Sequence, residues 1–379
     1  MADPKSNLKD LLTSYQEALE FFSVSLSQTD VTAKKIQAAN VKQPLDELAK
    51  LTKLIRAHTT KVGIIFKPEN LAKSTEPAFS TLSKLSESVV LMISVVAQID
   101  PREISNLFYK EIVDHVKLIL DGNKKLVEEL LIQPSEESTE STKSTKSTES
   151  TESSKSTEST ESANSTKDSP VDSSVDSSNS VNGRLLSVGL IWAYCDSTTS
   201  LIESGNLNLL TSKIKESILL IDDGFEEFVE WAENPEEFEM EDPFGFSDDE
   251  SDDEPPADSD NESTDGESKD VVAKFAKTWI KKIELIKLLL SSLKKSLPAT
   301  TTGESIDSIY SHESRLVNLI DKLVVDLMLD QVVDEVVEKC AEDITEVSQK
   351  ISTVVRKLHK DNEKKAKWYE TWETKFNDN

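Results

Sequence analysis

Three serines in one acidic stretch stand three residues ahead of a glutamate: Ser247 before Glu250, Ser251 before Glu254 and Ser259 before Glu262. A kinase whose basic pocket reads a carboxylate at that interval would phosphorylate these hydroxyls, adding about −1.5 to −2 of charge at each. Phosphorylation of Ser247, Ser251 and Ser259 is therefore expected, with a plain solvated spacer as the alternative. The stretch itself, Asp222 to Glu267, holds twenty-two Asp and Glu and no Lys or Arg, so 46 residues supply −22 of the formal net charge of −28. The rest of the chain is nearly balanced. A tract of this sign draws basic partners or solvates itself, and it does not hold nucleic-acid phosphates.

No other constellation offers catalysis. Cys340 falls on an apolar stripe and Cys195 closes a run of large apolar residues, so both read as small buried hydrophobes. His58, His115, His312 and His359 are scattered, without the HExxH or paired-cysteine spacing of a zinc site. No GxSxG elbow or Walker loop occurs. Gly is 9 of 379 residues, which removes most of the material for tight βα turns and phosphate-cradling loops. The expectation is no enzymatic activity, no cofactor and no metal. Two cysteines cannot build a disulfide framework, and the opening MADPKSNLKD has no apolar signal core. The longest apolar runs fall short of the ~20 residues of a membrane span. A soluble protein of a reducing compartment is expected.

Two segments lack the means to fold. From Ser138 to Glu161 a Ser/Thr triplet repeats, and within Ser135–Ser180, 26 of 46 residues are Ser or Thr. A period of three matches neither helix nor strand. With nothing apolar to bury, the roughly 1–2 kcal/mol of backbone entropy per residue is not offset, so a disordered insert is expected at 135–180. The second segment is the acidic linker 234–268, where Pro235, Pro243, Pro255 and Pro256 and dense like charge oppose a continuous helix. Phe238, Met240, Phe244 and Phe246 give it apolar anchors that could dock into a groove.

The remainder reads as amphipathic helices, so the fold class is all-α, as up-and-down bundles. Pro4 opens a helix with Leu8, Leu11, Leu12, Tyr15, Leu19 and Phe22. Pro44 opens a second, with Leu45, Leu48, Leu51, Leu54, Ile55 and His58 on one side. The third starts near Pro77 and carries Phe79, Leu82, Leu85, Val89, Met92, Ile93 and Val96. A fourth opens at Pro101 and reaches Leu131 unless Gly122 breaks it. Leu185 to Leu201 forms a strongly apolar helix that turns at Ser204-Gly205-Asn206 and returns as Leu209 to Glu233, with Phe225, Phe228 and Trp231 on its stripe. Val271–Leu297 is a basic amphipathic helix whose face carries Lys281, Lys282, Lys294 and Lys295. Last, Val333, Val337, Cys340, Ile344, Val347, Ile351, Val354 and Leu358 form a heptad seam, with Leu316, Ile320, Leu323 and Leu327 as a shorter run before Asp330. Packing inside a monomer is preferred for this seam over a homo-oligomeric coiled coil. The expected plan is 1–134 and 181–233 as an N-terminal bundle and 269–379 as a C-terminal helical domain.

In GLIWAYCDS, the turn at Ser204–Asn208 and the continuation LTSKIKESILLIDDGFEEFVEWAENPEEFE, the chain resembles the cyclin-D-binding protein family. That family shows a Trp- and Cys-bearing helix, a loop, an arm ending in acidic residues and an acidic linker. Trp192 and Cys195 are the matching anchors, and the order of elements agrees across most of the chain. The resemblance implies vinculin- and talin-like helical bundles, no enzymatic activity, location in cytoplasm and nucleus, and a cell-cycle role through cyclin-type or helix-loop-helix partners. The triplet insert departs from the family pattern and suggests a fungal or other lower-eukaryote member. The residues before Leu185 hold one Arg and no basic extension, so direct DNA binding through a helix-loop-helix is not expected. As structural anchors the sequence nominates Trp192, Cys195, Phe225, Phe228, Val337, Cys340 and Ile344. The alternative from another class is a cytoskeletal or membrane-peripheral scaffold that uses its bundles and the Lys-rich helix.

Deleting Ser135–Ser180 should shift the melting temperature by only a few degrees, because loop-closure entropy varies slowly with length. Loss of cooperative unfolding in calorimetry would contradict a disordered insert.

Overall fold

The computed structural model describes residues 4–27, 36–71, 75–132, 186–233 and 263–378. The insert 135–180 and Ser247, Ser251 and Ser259 lie outside the described residues. Among those described there is no β-strand. Ten helices follow in order: α1 (Pro4–Ser27), α2 (Pro44–Ile65), α3 (Pro68–Leu71), α4 (Glu76–Val96), α5 (Asn106–Ile132), α6 (Leu186–Glu233), α7 (Ser263–Ser296), α8 (Gly303–Asp330), α9 (Glu335–Leu358) and α10 (Glu363–Asp378). The all-α expectation holds.

The chain divides into two compact units. One takes residues 1–39, 50–97 and 116–196; the other takes 40–49, 98–115 and 197–379. Against the expected plan, 40–49, 98–115 and 197–233 are grouped with the C-terminal helices. α7 also begins at Ser263, inside the stretch 234–268 read as linker.

In the first unit, Leu8, Leu12, Tyr15 and Leu19 of α1 are buried, and α1 packs on α4, whose buried stripe runs through Leu82, Leu85, Val89, Met92 and Val96. α4 is long and apolar enough to cross a membrane by length and composition alone, and nine of its residues are buried in this unit. The Tyr15 hydroxyl donates to Asn123 Oδ1 at 2.9 Å, and Asn123 Nδ2 donates to the Ile119 carbonyl at 2.8 Å, which satisfies both buried polar groups. Leu54 and Phe79, expected on core stripes, are exposed. Each lies at the margin of its stripe, one step of 100° from a buried neighbour.

α5 starts later than the proline suggests. Residues 101–103 form a turn, and the helix begins at Asn106. Ser105 Oγ accepts from the Phe108 amide at 3.1 Å as the N-cap. Asp307 supplies a second cap from α8: its carboxylate accepts from the amides of Asn106 at 2.8 Å and Leu107 at 2.9 Å. Gly122 does not break the helix. It is buried, and a Cβ there would stand 2.8 Å from Cγ1 of Ile191 on α6.

α6 is two arms with a break at Gly205, whose φ of 78° and ψ of 173° suit only glycine. The expected turn at Ser204-Gly205-Asn206 therefore stands. The first arm runs down α5: the Ser187 hydroxyl donates to Glu129 and Ser197 meets His115. Beyond the break, Asn206 Nδ2 donates to the Ile104 carbonyl and the Ser105 hydroxyl donates to Asn206 Oδ1, both at 2.7 Å. Lys213 then feels the charge of Glu111, which puts the second arm back alongside the first turns of α5.

In the second unit α8 and α9 form a hairpin closed by Gln331 in the left-handed region, φ 50°. Asp334 caps α9 by accepting from the amides of Val336 and Val337. Val337, Cys340, Ile344, Val347 and Ile351 are buried as the heptad reading requires, on a helix that packs against α8 and α10 of the same chain. The seam then slips. Val355 replaces Val354 as the buried residue, Leu358 is half-buried and Val333 precedes the helix. A straight helix of 3.6 residues per turn drifts about 20° per heptad against a strict 3.5 repeat, and over this length the drift moves the stripe by one residue. α10 was not anticipated. Tyr369, Trp372 and Phe376, spaced by three and four, are buried, with Trp372 Nε1 donating to the Leu285 carbonyl at 2.7 Å.

Gly122→Ala should lower stability by about 1–2 kcal/mol, although alanine favours a helix by about 1 kcal/mol, because the overlap with Ile191 costs more than the propensity gains. Thermal unfolding followed by circular dichroism tests this, and a rise in melting temperature would contradict the close approach.

Candidate functional site

The first arm of α6 presents one buried stripe, Val188, Ile191, Cys195 and Thr198. Two glycines receive it: Gly63 on α2, where a Cβ would lie 3.1 Å from Val188, and Gly122 on α5. Trp192 stands one 100° step from Ile191. It is consequently half-buried, and its expected role as a fully buried anchor needs correction. The indole Nε1 donates to Thr60 Oγ1 at 3.0 Å, and Thr60 in turn donates to the Arg56 carbonyl at 2.8 Å. The Arg56 guanidinium lies over the indole, 5.6 Å from its centroid, and its Nε pairs with Asp196 at 2.9 Å. Both partners of that pair are open to solvent, with 45% and 62% of their side chains exposed. Ile64, one turn beyond Thr60 on α2, is exposed as well. The result is a shallow face of tryptophan, arginine, aspartate and isoleucine, with the indole tied to Thr60. Tryptophan and arginine are among the residues on which protein interfaces concentrate their binding energy.

Cys195 lies beneath this face and is buried as expected. Desolvation first, then the charge of Asp196, push its thiol up to about 12, so it is not a nucleophile at neutral pH. Cys340 shifts upward for the same leading reason, and its Sγ meets the Leu319 carbonyl at 3.4 Å. Among the described residues no group of three or more His, Cys, Asp or Glu could hold a metal ion.

The remaining nominated residues belong to the second unit. Phe225 and Phe228 are buried on the second arm of α6, and Phe228 stacks on Trp231 with centroids 5.8 Å apart. Lys287 of α7 pairs with Asp222 and lies over the Phe225 ring at 4.4 Å. Lys281, Lys294 and Lys295 are exposed on α7, while Lys282 is half-buried against Trp279 and Phe376. The four lysines thus do not form one uniform face. Arg56, Thr60 and Asp196 were missed by sequence reasoning, since no local signal pairs α2 with α6.

Glu313 was missed too. It is fully buried on α8, and neither carboxylate oxygen has a well-formed hydrogen bond. Burial, opposed only weakly by Ser217 and by Lys213, and reinforced by Glu216, raises its carboxyl to about 7.

The family model described as "Grap2 and cyclin-D-interacting, N-terminal" matches residues 47–166 and 160–234, which span α2 to α6. An uncharacterized protein of Saccharomyces cerevisiae is 26% identical over 347 residues, covering 88% of this chain and 86% of its own length.

A raised carboxyl contributes stability that is present below its unfolded value, 4.5, and is lost as pH rises through about 7. Glu313→Gln should therefore be less sensitive than the wild type between pH 5 and pH 8, by about 2–3 kcal/mol at 1.36 kcal/mol per unit. Urea unfolding at the two pH values measures it, and parallel losses in both proteins would mean that Glu313 is not the group responsible.

Proposed function

Since the chain belongs to the Grap2 and cyclin-D-interacting family, we propose that it is a non-catalytic protein-interaction adaptor in cell-cycle regulation, acting in cytoplasm and nucleus. Its partner is cyclin-type or a helix-loop-helix factor. The observation that carries this reading is the Trp192–Arg56–Asp196 face, which lies on two helices of the matched region. A hydrogen-bonded indole beneath a paired guanidinium keeps both side chains ordered before a partner arrives, and pre-ordering lowers the entropy cost of binding. The two arms of α6 have no basic extension ahead of them in sequence. A helix-loop-helix partner engaged here would be withheld from DNA, which restrains transcription.

The second reading, a membrane-peripheral scaffold, is favoured by exposed Lys281, Lys294 and Lys295 together with exposed Leu288 and Trp368. Flotation with phosphatidylserine vesicles separates the two readings.

Calorimetric titration of the full chain with a D-type cyclin and with a helix-loop-helix factor tests the adaptor reading. Trp192→Ala and Arg56→Glu should each weaken the binding at least tenfold. Being half-buried, Trp192 should lose only about 1–2 kcal/mol of stability on truncation, below the ~3–5 kcal/mol of a fully buried ring. Unchanged affinity in both variants would remove this face as the contact, and absence of binding to either partner class would overturn the adaptor reading.

A further inference from the structure

Between α7 and α9 lies a groove of about 820 Å³ that no helix fills. Its apolar part is built by Phe275 and Trp279, whose rings are 6.2 Å apart, and by Ala341 on the facing wall. Val271 at its end is 57% exposed. The two walls differ in charge. On α9, Glu342 pairs with Lys339 at 3.4 Å and Glu346 with Lys350 at 2.6 Å, so two of that wall's three carboxylates are answered by lysines of their own helix, and Glu338 at its start is the third. On α7, Lys274 and Lys282 line the groove. Among the described residues neither of these two lysines forms an ion pair. Lys282 instead rests over Trp279 at 5.2 Å and over Phe376 at 5.4 Å. An occupant must therefore bring large apolar side chains for the aromatic floor and carboxylates for the α7 rim.

This chain contains such a segment. PEEFEMEDPFGF, residues 235–246, alternates Phe238, Met240, Phe244 and Phe246 with Glu236, Glu237, Glu239, Glu241 and Asp242, and has no basic residue. It leaves α6 two residues after Glu233, and the chain rejoins α7 at Ser263. Reach is sufficient. Asp222 of α6 touches Lys287 of α7, so at 1.5 Å per helical residue Glu233 lies within roughly 30–35 Å of the groove whichever way the helices cross. The chain from Glu233 to Phe244 spans up to about 36–40 Å.

We propose that the α7–α9 groove is the docking site of the chain's own segment 235–246, with the phenylalanines on Phe275 and Trp279 and the carboxylates on the α7 lysines. The tether gives this segment an effective concentration of order millimolar, so individually weak contacts suffice. Ser247, Ser251 and Ser259 follow it directly. Phosphate there adds charge opposite the same lysines and tightens the docked state.

The test uses a fluorescein-labelled peptide of residues 235–249, titrated by fluorescence anisotropy against three full-length proteins. These are the wild type, a variant with Phe238→Ser, Met240→Ser, Phe244→Ser and Phe246→Ser, and that variant with Lys274→Glu and Lys282→Glu added. Circular dichroism melts certify that each is folded. The first variant should bind the peptide at least tenfold more tightly than the wild type, whose own segment competes. The lysine reversals should cost tenfold or more, and a charge-matched scrambled peptide should bind at least tenfold more weakly. Equal binding by wild type and first variant, no binding by either, or equal binding of the scrambled peptide would each overturn the proposal. The groove lies outside residues 47–234 and no cyclin enters the assay, so its failure and that of the adaptor reading are distinguishable.

Discussion

The first arm of α6 lies where it does because α5 has no side chain at residue 122. In an all-helical protein the separation of helix axes is set by the side chains at the crossing, ordinarily 8–10 Å. Removing a Cβ at Gly122 lets Ile191 settle against the α5 backbone, and Gly63 does the same for Val188 on α2. Once those two contacts fix the rotation of the arm, the rest follows: Cys195 turns inward, Trp192 falls at the rim, and Asp196 faces Arg56. The Trp192–Arg56–Asp196 face is thus a by-product of backbone closeness beneath it.

Much of the helical plan was legible in the sequence because its signals are local. Pro4 and Pro44 mark helix starts, Asp46 and Glu47 favour the first turn of α2, and a spacing of three and four residues marks each buried stripe. Pro101 misled for a physical reason. The true cap is Ser105, reinforced by Asp307 from a helix two hundred residues away, and no window along the chain contains both. The aromatics of α10 were readable, since Tyr369, Trp372 and Phe376 repeat at helical spacing, but dense charge around them masked the pattern.

The candidate site was legible only in half. Trp192 and Cys195 stand out in an apolar helix, yet burial depends on what comes opposite. A tryptophan with an N–H to satisfy settles at a margin where Thr60 can accept from it. Arg56 and Asp196 are unremarkable surface residues until the fold brings them together. The same holds for the lysines of α7. Their number was plain from sequence, whereas the sorting into a lysine held by Asp222, a lysine over aromatic rings and lysines in solvent required α6, α9 and α10 to be in place.

The two cysteines carry a practical consequence. Each is shielded, each thiol is shifted upward by burial, and one lies in each compact unit, Cys195 in the first and Cys340 in the second. A thiolate-seeking reagent therefore reacts only when its surroundings open. The native chain is furnished with two built-in opening reporters, and the separate labelling rates of its two sulfurs read out the local stability of each unit without an engineered probe.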